Sequence, residues 1–428
     1  MDIFSRRLSA LCLLLATALA SAQAPDIPSA GLPGSRVDEL LVLARRQNAD
    51  LAASGFELEA AQARVHSAAA LPDPIGRLEL RDVTNRADNG SFNLLPGRVG
   101  STRYTLAQTF PWWGKRDLKR QVAEADAAQA EARRASAWSE LAAKVKTGFA
   151  QYYLAGHSLQ LNGELLRLAE TLERLAQARY AGGLAAQQDV IRAQVEKSNL
   201  RGERLRLESE SRQTAARLNG LLRRPPTAPL AEARVLRPLP SAEQLADGVL
   251  SARLLAANPQ LAAQEAQLLA AETSGELVRK NRYPDVTIGV SPIQVGSRVA
   301  EWELMFEVNI PLARESRRAQ ESEALALAAA ARARKEAVAN QAAVDLAENV
   351  AALEAARRLE QLIASALLPQ AEIAFKAALA GYETGRLDFA TLLETQRQIR
   401  QARLDRLRAQ TEAQIRLAEI ERLLGEDL

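Results

Sequence analysis

Chemistry has little to work with in this sequence. Of its 428 residues, two are histidines, two are methionines and one is a cysteine. His66 and His157 lie far apart with no second ligand at metal-binding spacing, so each reads as an exposed helical residue. No GxSxG elbow, HExxH pair, phosphate loop or CxxC occurs. Gly182-Gly183 follows residues of helical character, not a strand, so it reads as a hairpin turn and not as a phosphate cradle. No catalytic residue, cofactor site or metal site is expected, and the chain is not read as an enzyme.

What does recur at meaningful spacing is charge. Glu301, Glu303 and Glu307 alternate with Trp302, Leu304, Phe306, Val308 and Ile310, and Pro311 closes the run. Side chains on a strand point alternately to opposite faces, so one face is apolar and the other acidic. Arg77, Glu79 and Arg81 alternate in the same way with Leu78 and Leu80. Such a face does the chemistry of a wetted wall, which attracts ions and lets them pass. In isolation each segment also suits a half-buried strand of a soluble sheet. Its length, however, is what a tilted strand needs to cross a bilayer.

The rest of the chain must position these faces. A net charge of +3 and 25% charged residues give no reason to expect nucleic acid or an acidic partner. Arg6 and Arg7 precede an apolar run from Leu8 to Leu19 and then Ala20-Ser21-Ala22, the pattern of an export signal, residues 1–22, cleaved after Ala22. Cys12 leaves with that signal, and Ser9-Ala10-Leu11 does not read as a lipid-attachment box. The mature chain is therefore expected to have no disulfide, thiolate or lipid anchor. Beyond the signal, no apolar run reaches the ~18–20 residues of a membrane-spanning helix, so any crossing must be made by strands.

An internal duplication organises the mature sequence. Tyr180-Ala-Gly-Gly183 matches Tyr382-Glu-Thr-Gly385 and Gln194 matches Gln396, at one offset of 202 residues (382 − 180, 385 − 183, 396 − 194). Asn48 and Leu51 match Asn258 and Leu261, Pro72-Asp73 matches Pro284-Asp285, and Phe110-Pro111 matches Ile310-Pro311. Each repeat, 23–223 and 241–428, reads as helix, strand, loop, strand, long helix, turn, helix, with a proline-rich connector at 224–240 between them. A period this long marks a duplicated domain and not a solenoid.

No proline interrupts Trp112 to Arg224, and Leu161, Leu165, Leu168, Leu172 and Leu175 repeat at coiled-coil spacing. A helix from about Lys115 to Ala178 follows, roughly 95 Å long at ~1.5 Å per residue. One helix is expected over 36–70, and another over 312–368, with a kink or break at Pro369. Strands are expected at 75–83, 103–110, 286–294 and 301–310. Four strands cannot close a barrel, and an open edge in lipid strands its backbone polar groups. Either the sheet is not in a membrane, or several chains pool strands; three would give twelve, with room for a lumen lined by Arg77, Glu79, Arg81, Glu301, Glu303 and Glu307. Trp112, Trp113, Trp302, Leu304 and Phe306 would then face lipid or its interface. The helices alone also fit a soluble coiled-coil rod.

Strand pairs set into two long helical hairpins, duplicated in one exported chain, resemble the TolC family of outer-membrane efflux channels. The resemblance rests most on the two turns, Arg179-Tyr-Ala-Gly-Gly-Leu184 with Asp189-Val190, and Gly381-Tyr-Glu-Thr-Gly-Arg386 with Leu392-Leu393. Thr109-Phe-Pro-Trp-Trp-Gly-Lys-Arg116, Leu368-Pro-Gln-Ala371 and Gly385-Arg-Leu-Asp-Phe389 are most similar to its heavy-metal branch, the CusC and CzcC type. Members of that branch often carry a lipid anchor, for which this sequence lacks the box.

The resemblance implies a mainly α fold with a transmembrane β-barrel portion. Three duplicated chains would form a 12-stranded barrel in the Gram-negative outer membrane and a periplasmic α-helical barrel beneath it. It implies a homotrimer that works with a periplasmic adaptor (a membrane fusion protein) and an inner-membrane RND pump, with heavy-metal cations as candidate cargo. Drug efflux and type I secretion use the same architecture. A soluble periplasmic adaptor is the remaining alternative, although adaptors carry one helical hairpin between β domains instead of a tandem pair. Residue by residue, the resemblance implies adaptor docking at Tyr180, Gly182, Gly183 and Gly385. It also implies a gate or latch at Asp189, Tyr382, Arg386 and Glu394. Thr391 stands where the family has a second acid, and Leu387 where it has a basic residue.

Overall fold

A computed structural model describes residues 32–84 and 92–428. The expected export signal lies outside the described residues. Helices dominate. In chain order they and the strands are α1 (Val37–Gln47), α2 (Ala49–Ala68), β1 (Ile75–Arg81), β2 (Ser101–Phe110), α3 (Lys115–Ala181) and α4 (Gln187–Leu221). The second half follows with α5 (Asp247–Ala257), α6 (Pro259–Lys280), β3 (Val286–Val295), β4 (Arg298–Val308), α7 (Arg314–Leu362), α8 (Leu368–Glu383) and α9 (Phe389–Leu424).

The proline-free stretch yields one helix of 67 residues, α3, about 100 Å long at ~1.5 Å per residue. It packs along α2, α4, α6 and α9 and so forms the spine of the molecule. Its leucine seam turns inward: Leu161, Leu165 and Leu172 are buried. The apolar core is not one mass. It is strung out as separate clusters, with α1, α3 and α4 enclosing one and α5, α7 and α9 enclosing its counterpart in the second half. Alanines such as Ala142, Ala150, Ala342 and Ala413 let the helices approach closely.

Two expectations need correction. The helix expected over 36–70 is two helices, because the chain leaves helical geometry at Asn48 (ψ 127°). Asn48 Oδ1 accepts from Asp50 N and Leu51 N, starting α2, while its Nδ2 donates to Leu221 O at the end of α4. Asn258 repeats the device: Oδ1 accepts from Leu261 N at 2.7 Å and Nδ2 donates to Leu423 O at 2.7 Å. An asparagine cap that also satisfies the carbonyls of a neighbouring helix end favours the break. Second, the disturbance expected at Pro369 takes the form of a π-turn and not of a break in the helix. Helical structure runs on from Arg314 to Glu383, through a π-turn at Ile363–Leu367 just ahead of the proline. A wider turn makes room where the proline ring and its missing N–H disrupt the regular ladder.

The strands form one antiparallel sheet in the order β1-β2-β3-β4. The central pairing, β2 with β3, joins the two halves of the chain, with Phe110 opposite Val286 and Leu106 opposite Val290. β1 and β4 are the open edges.

Candidate functional site

The sheet presents two chemically opposed faces. Trp302, Leu304 and Phe306 are 70%, 73% and 70% exposed, and Leu78 and Leu106 project from the same side. Large apolar side chains this bare are costly in water and suit a hydrocarbon surround. The other face carries a polar ladder. Arg103 Nη2 lies 2.8 Å from Glu303 and its Nη1 lies 3.8 Å from Glu79; Thr105 shares a 2.9 Å hydrogen bond with Ser291, as Thr109 does with Thr287. Arg77 and Arg81 each approach Glu79 to 3.8 Å. Register puts Glu301 opposite Ile293 and Glu307 opposite Thr287, on the same face. All six expected wall residues thus share one side of the sheet, with Arg103 at the centre of the ladder.

The sheet is pinned to the helices at Trp112–Lys115. Lys115 is buried, its Nζ donating to Asp285 Oδ1 at 2.8 Å and to Tyr283 O at 2.9 Å, while Trp112 N donates to the same carboxylate oxygen at 2.8 Å. The two tryptophans differ. Trp112 stacks on Tyr283 with ring centroids 5.3 Å apart, whereas Trp113 is 77% exposed.

At the far end of the helices the two hairpin turns have the same backbone. Leu184 N donates to Arg179 O and Gly183 N to Tyr180 O; Arg386 N donates to Gly381 O and Gly385 N to Tyr382 O. Gly183 (φ +71°) and Gly385 (φ +74°) occupy the left-handed region that lets a helix end in this way. Gly182 and the exposed Tyr180 complete the first turn.

Tyr382 is buried against Phe389, ring centroids 5.2 Å apart. Burial and then the Asp189 carboxylate push its phenol up from the ordinary tyrosine value, and Arg179 partly offsets them. The hydroxyl itself has no hydrogen-bond partner among the described residues. The cation beside this ring is Arg179: its guanidinium lies 5.0 Å from the ring centre, donates to Leu184 O at 3.2 Å and also reaches Glu383 O of the other turn. Arg386 is exposed and not at this ring, and Glu394 lies exposed on α9. Asp388 caps α9 by accepting from Thr391 N at 2.9 Å, and its hydrogen bonding with Thr391 holds its carboxyl below the ordinary range.

Above the tips, Glu196 of α4 is almost completely buried and meets Arg397 at 2.8 Å and Arg400 at 3.5 Å on α9. Arg397 is held more firmly protonated, first by its hydrogen bond with Glu196. Sequence reasoning missed both Arg179 and Glu196. Arg179 leaves no pattern, since its partners are backbone carbonyls and a ring far away in sequence. Glu196 does leave one: it interrupts the stripe of Ala193 and Leu200, and a charge on a buried face needs a partner.

Relatives bear on this arrangement. The family model described as outer membrane efflux protein matches residues 40–222 and 250–426. The chain is 26% identical over 408 residues to the cobalt-zinc-cadmium resistance protein CzcC of Cupriavidus metallidurans, covering 94% of this chain and 92% of that one. Among solved structures it resembles the outer-membrane channel OprN (TM-score 0.79, 21% identity, 91% and 89% of the two chains). It also resembles CusC (TM-score 0.78, 17% identity, 92% and 93%). A bipolar sheet carried on long paired helices, matched over both halves, makes this chain a member of the outer membrane efflux protein family, the outer-membrane channel of a tripartite efflux system with its helical portion in the periplasm.

Proposed function

We propose that three copies of this chain close a barrel of twelve strands and export heavy-metal cations, handed on by an inner-membrane RND pump through a periplasmic adaptor. The observation that carries this reading is the sheet: apolar on one face, laddered with charge on the other, and open at β1 and β4. Lipid does not tolerate unpaired strand edges, so other copies must pair them, and three give an even-numbered barrel wide enough for water. The metal assignment draws on the relationship to a cobalt-zinc-cadmium resistance protein. Choice of cargo belongs to the pump.

At the other end, Tyr180, Gly182, Gly183 and Gly385 form the surface that docks the adaptor. Asp189, Tyr382 and Glu394 latch or gate the opening, with Arg179 and not Arg386 as the cation beside Tyr382 and three copies of Glu394 brought towards one axis. Glu394→Ala is expected to raise single-channel conductance or change cation block in planar bilayers; recordings equal to wild type discard the gate. For cargo, the chain co-expressed with its pump and adaptor in a metal-sensitive strain should raise tolerance to cobalt, zinc or cadmium. Protection against dyes or antibiotics alone would assign drug efflux, and export of a protein would assign secretion. Chemical cross-linking should trap a trimer, and a soluble monomer would remove the barrel.

A further inference from the structure

A groove of about 590 Å³ opens where the apolar face of the sheet meets the helices. Phe110 and Ile288, from the paired strands β2 and β3, form its apolar floor, with Leu71 and Trp113 on its rim. All four side chains are exposed, Trp113 most of all. Arg116 and Arg120 stand on the helical side, with Asp117 the acid beside them. Arg116 donates Nε and Nη2 to Ala69 O at 2.9 and 2.7 Å, and no protein partner is described for its Nη1. Arg120 is half exposed and pairs loosely, 3.5 Å to Asp117 and 3.6 Å to Glu124. Among the residues that line the groove two arginines stand against one acid, and the floor is apolar.

We infer that this groove holds a phospholipid of the periplasmic leaflet, its phosphate on Arg116 and Arg120 and an acyl chain between Leu71, Phe110, Trp113 and Ile288. The inference rests on the apolar sheet face meeting lipid. Position selects the occupant: the floor is β2 and β3, the middle of the sheet, whereas a second copy of the chain would pair at β1 or β4. The apolar floor continues the lipid-facing surface, and the cations lie on the side where the chain becomes helical, at headgroup depth. Guanidinium groups suit phosphate because they offer several donors in one plane.

Native mass spectrometry of the detergent-purified channel, titrated with phosphatidylglycerol, tests this. Expected is a saturable adduct of one phospholipid per chain. R116Q/R120Q should lower its occupancy at least tenfold, and L71W, which fills the groove and leaves the charges intact, should do so too. Planar-bilayer conductance should stay at the wild-type value in both. Adducts that accumulate without saturation, or that survive both variants undiminished in a conducting channel, overturn the lipid site alone. A protein that neither assembles nor conducts overturns the channel reading as well.

Discussion

The two hairpin tips share one turn but not one setting. In the first, α3 arrives as unbroken α-helix and Tyr180 stays exposed; in the second, the helix arrives through a π-turn and the matching Tyr382 is buried against Phe389. The helix after the first turn has Ala186 at its N-cap position and no side-chain cap, whereas Asp388 caps its counterpart. Arg179 leaves the first turn to hold the second. Duplication thus kept the backbone and reassigned the side chains: one tip is an open surface and the other is packed and tied down.

The largest expected effect comes from removing what is packed. Phe389→Ala should lower stability by about 3–5 kcal/mol in thermal or denaturant unfolding. Gln187→Ala, the exposed residue at the same place in the first hairpin, should stay within about 0.5 kcal/mol. Equal losses would erase the contrast.

A second test uses pH. Because the folded phenol of Tyr382 is raised, the protein holds its proton where the unfolded chain has released it. The stability it confers is complete below the ordinary tyrosine range, about 10, and is lost as pH rises through the folded value. Tyr382→Phe should remove that alkaline sensitivity. Arg179→Ala should move the phenol titration higher still, and Asp189→Asn lower, as followed by tyrosinate absorbance. A titration unmoved by either change would separate these charges from the ring.

The smallest effect concerns the caps. Asp388→Ala should speed amide exchange at Thr391 near neutral pH, with the difference fading as acid titrates the carboxyl through its lowered value. Ala186→Asp should do the reverse in the first hairpin, adding about 1 kcal/mol of cap and making the two tips more alike.

Legibility in the sequence followed periodicity. Alternation within 301–310 and 75–83 located the bipolar strands, which run over 298–308 and 75–81, and the absence of proline located α3, because in both cases a backbone repeat dictates the side-chain pattern. Asn48 was visible as a repeat of Asn258 but not as a joint, since its second role depends on Leu221 O, far away in sequence. The π-turn was likewise hidden, because Pro369 announces a disturbance without saying how the preceding helix absorbs it. At the tips, the matched turn residues were readable, but the cation beside Tyr382 was not: the neighbouring Arg386 was the nearer choice in sequence, and Arg179 the nearer one in space.

The seam between β2 and β3 has a bearing on biogenesis. A polypeptide halted after its first half holds a single hairpin with two bare margins, and the strand that should cover β2 has not yet been synthesised. The complete chain still bares β1 and β4, so truncated products and unassembled full-length chains alike should accumulate outside the membrane as prey for proteases.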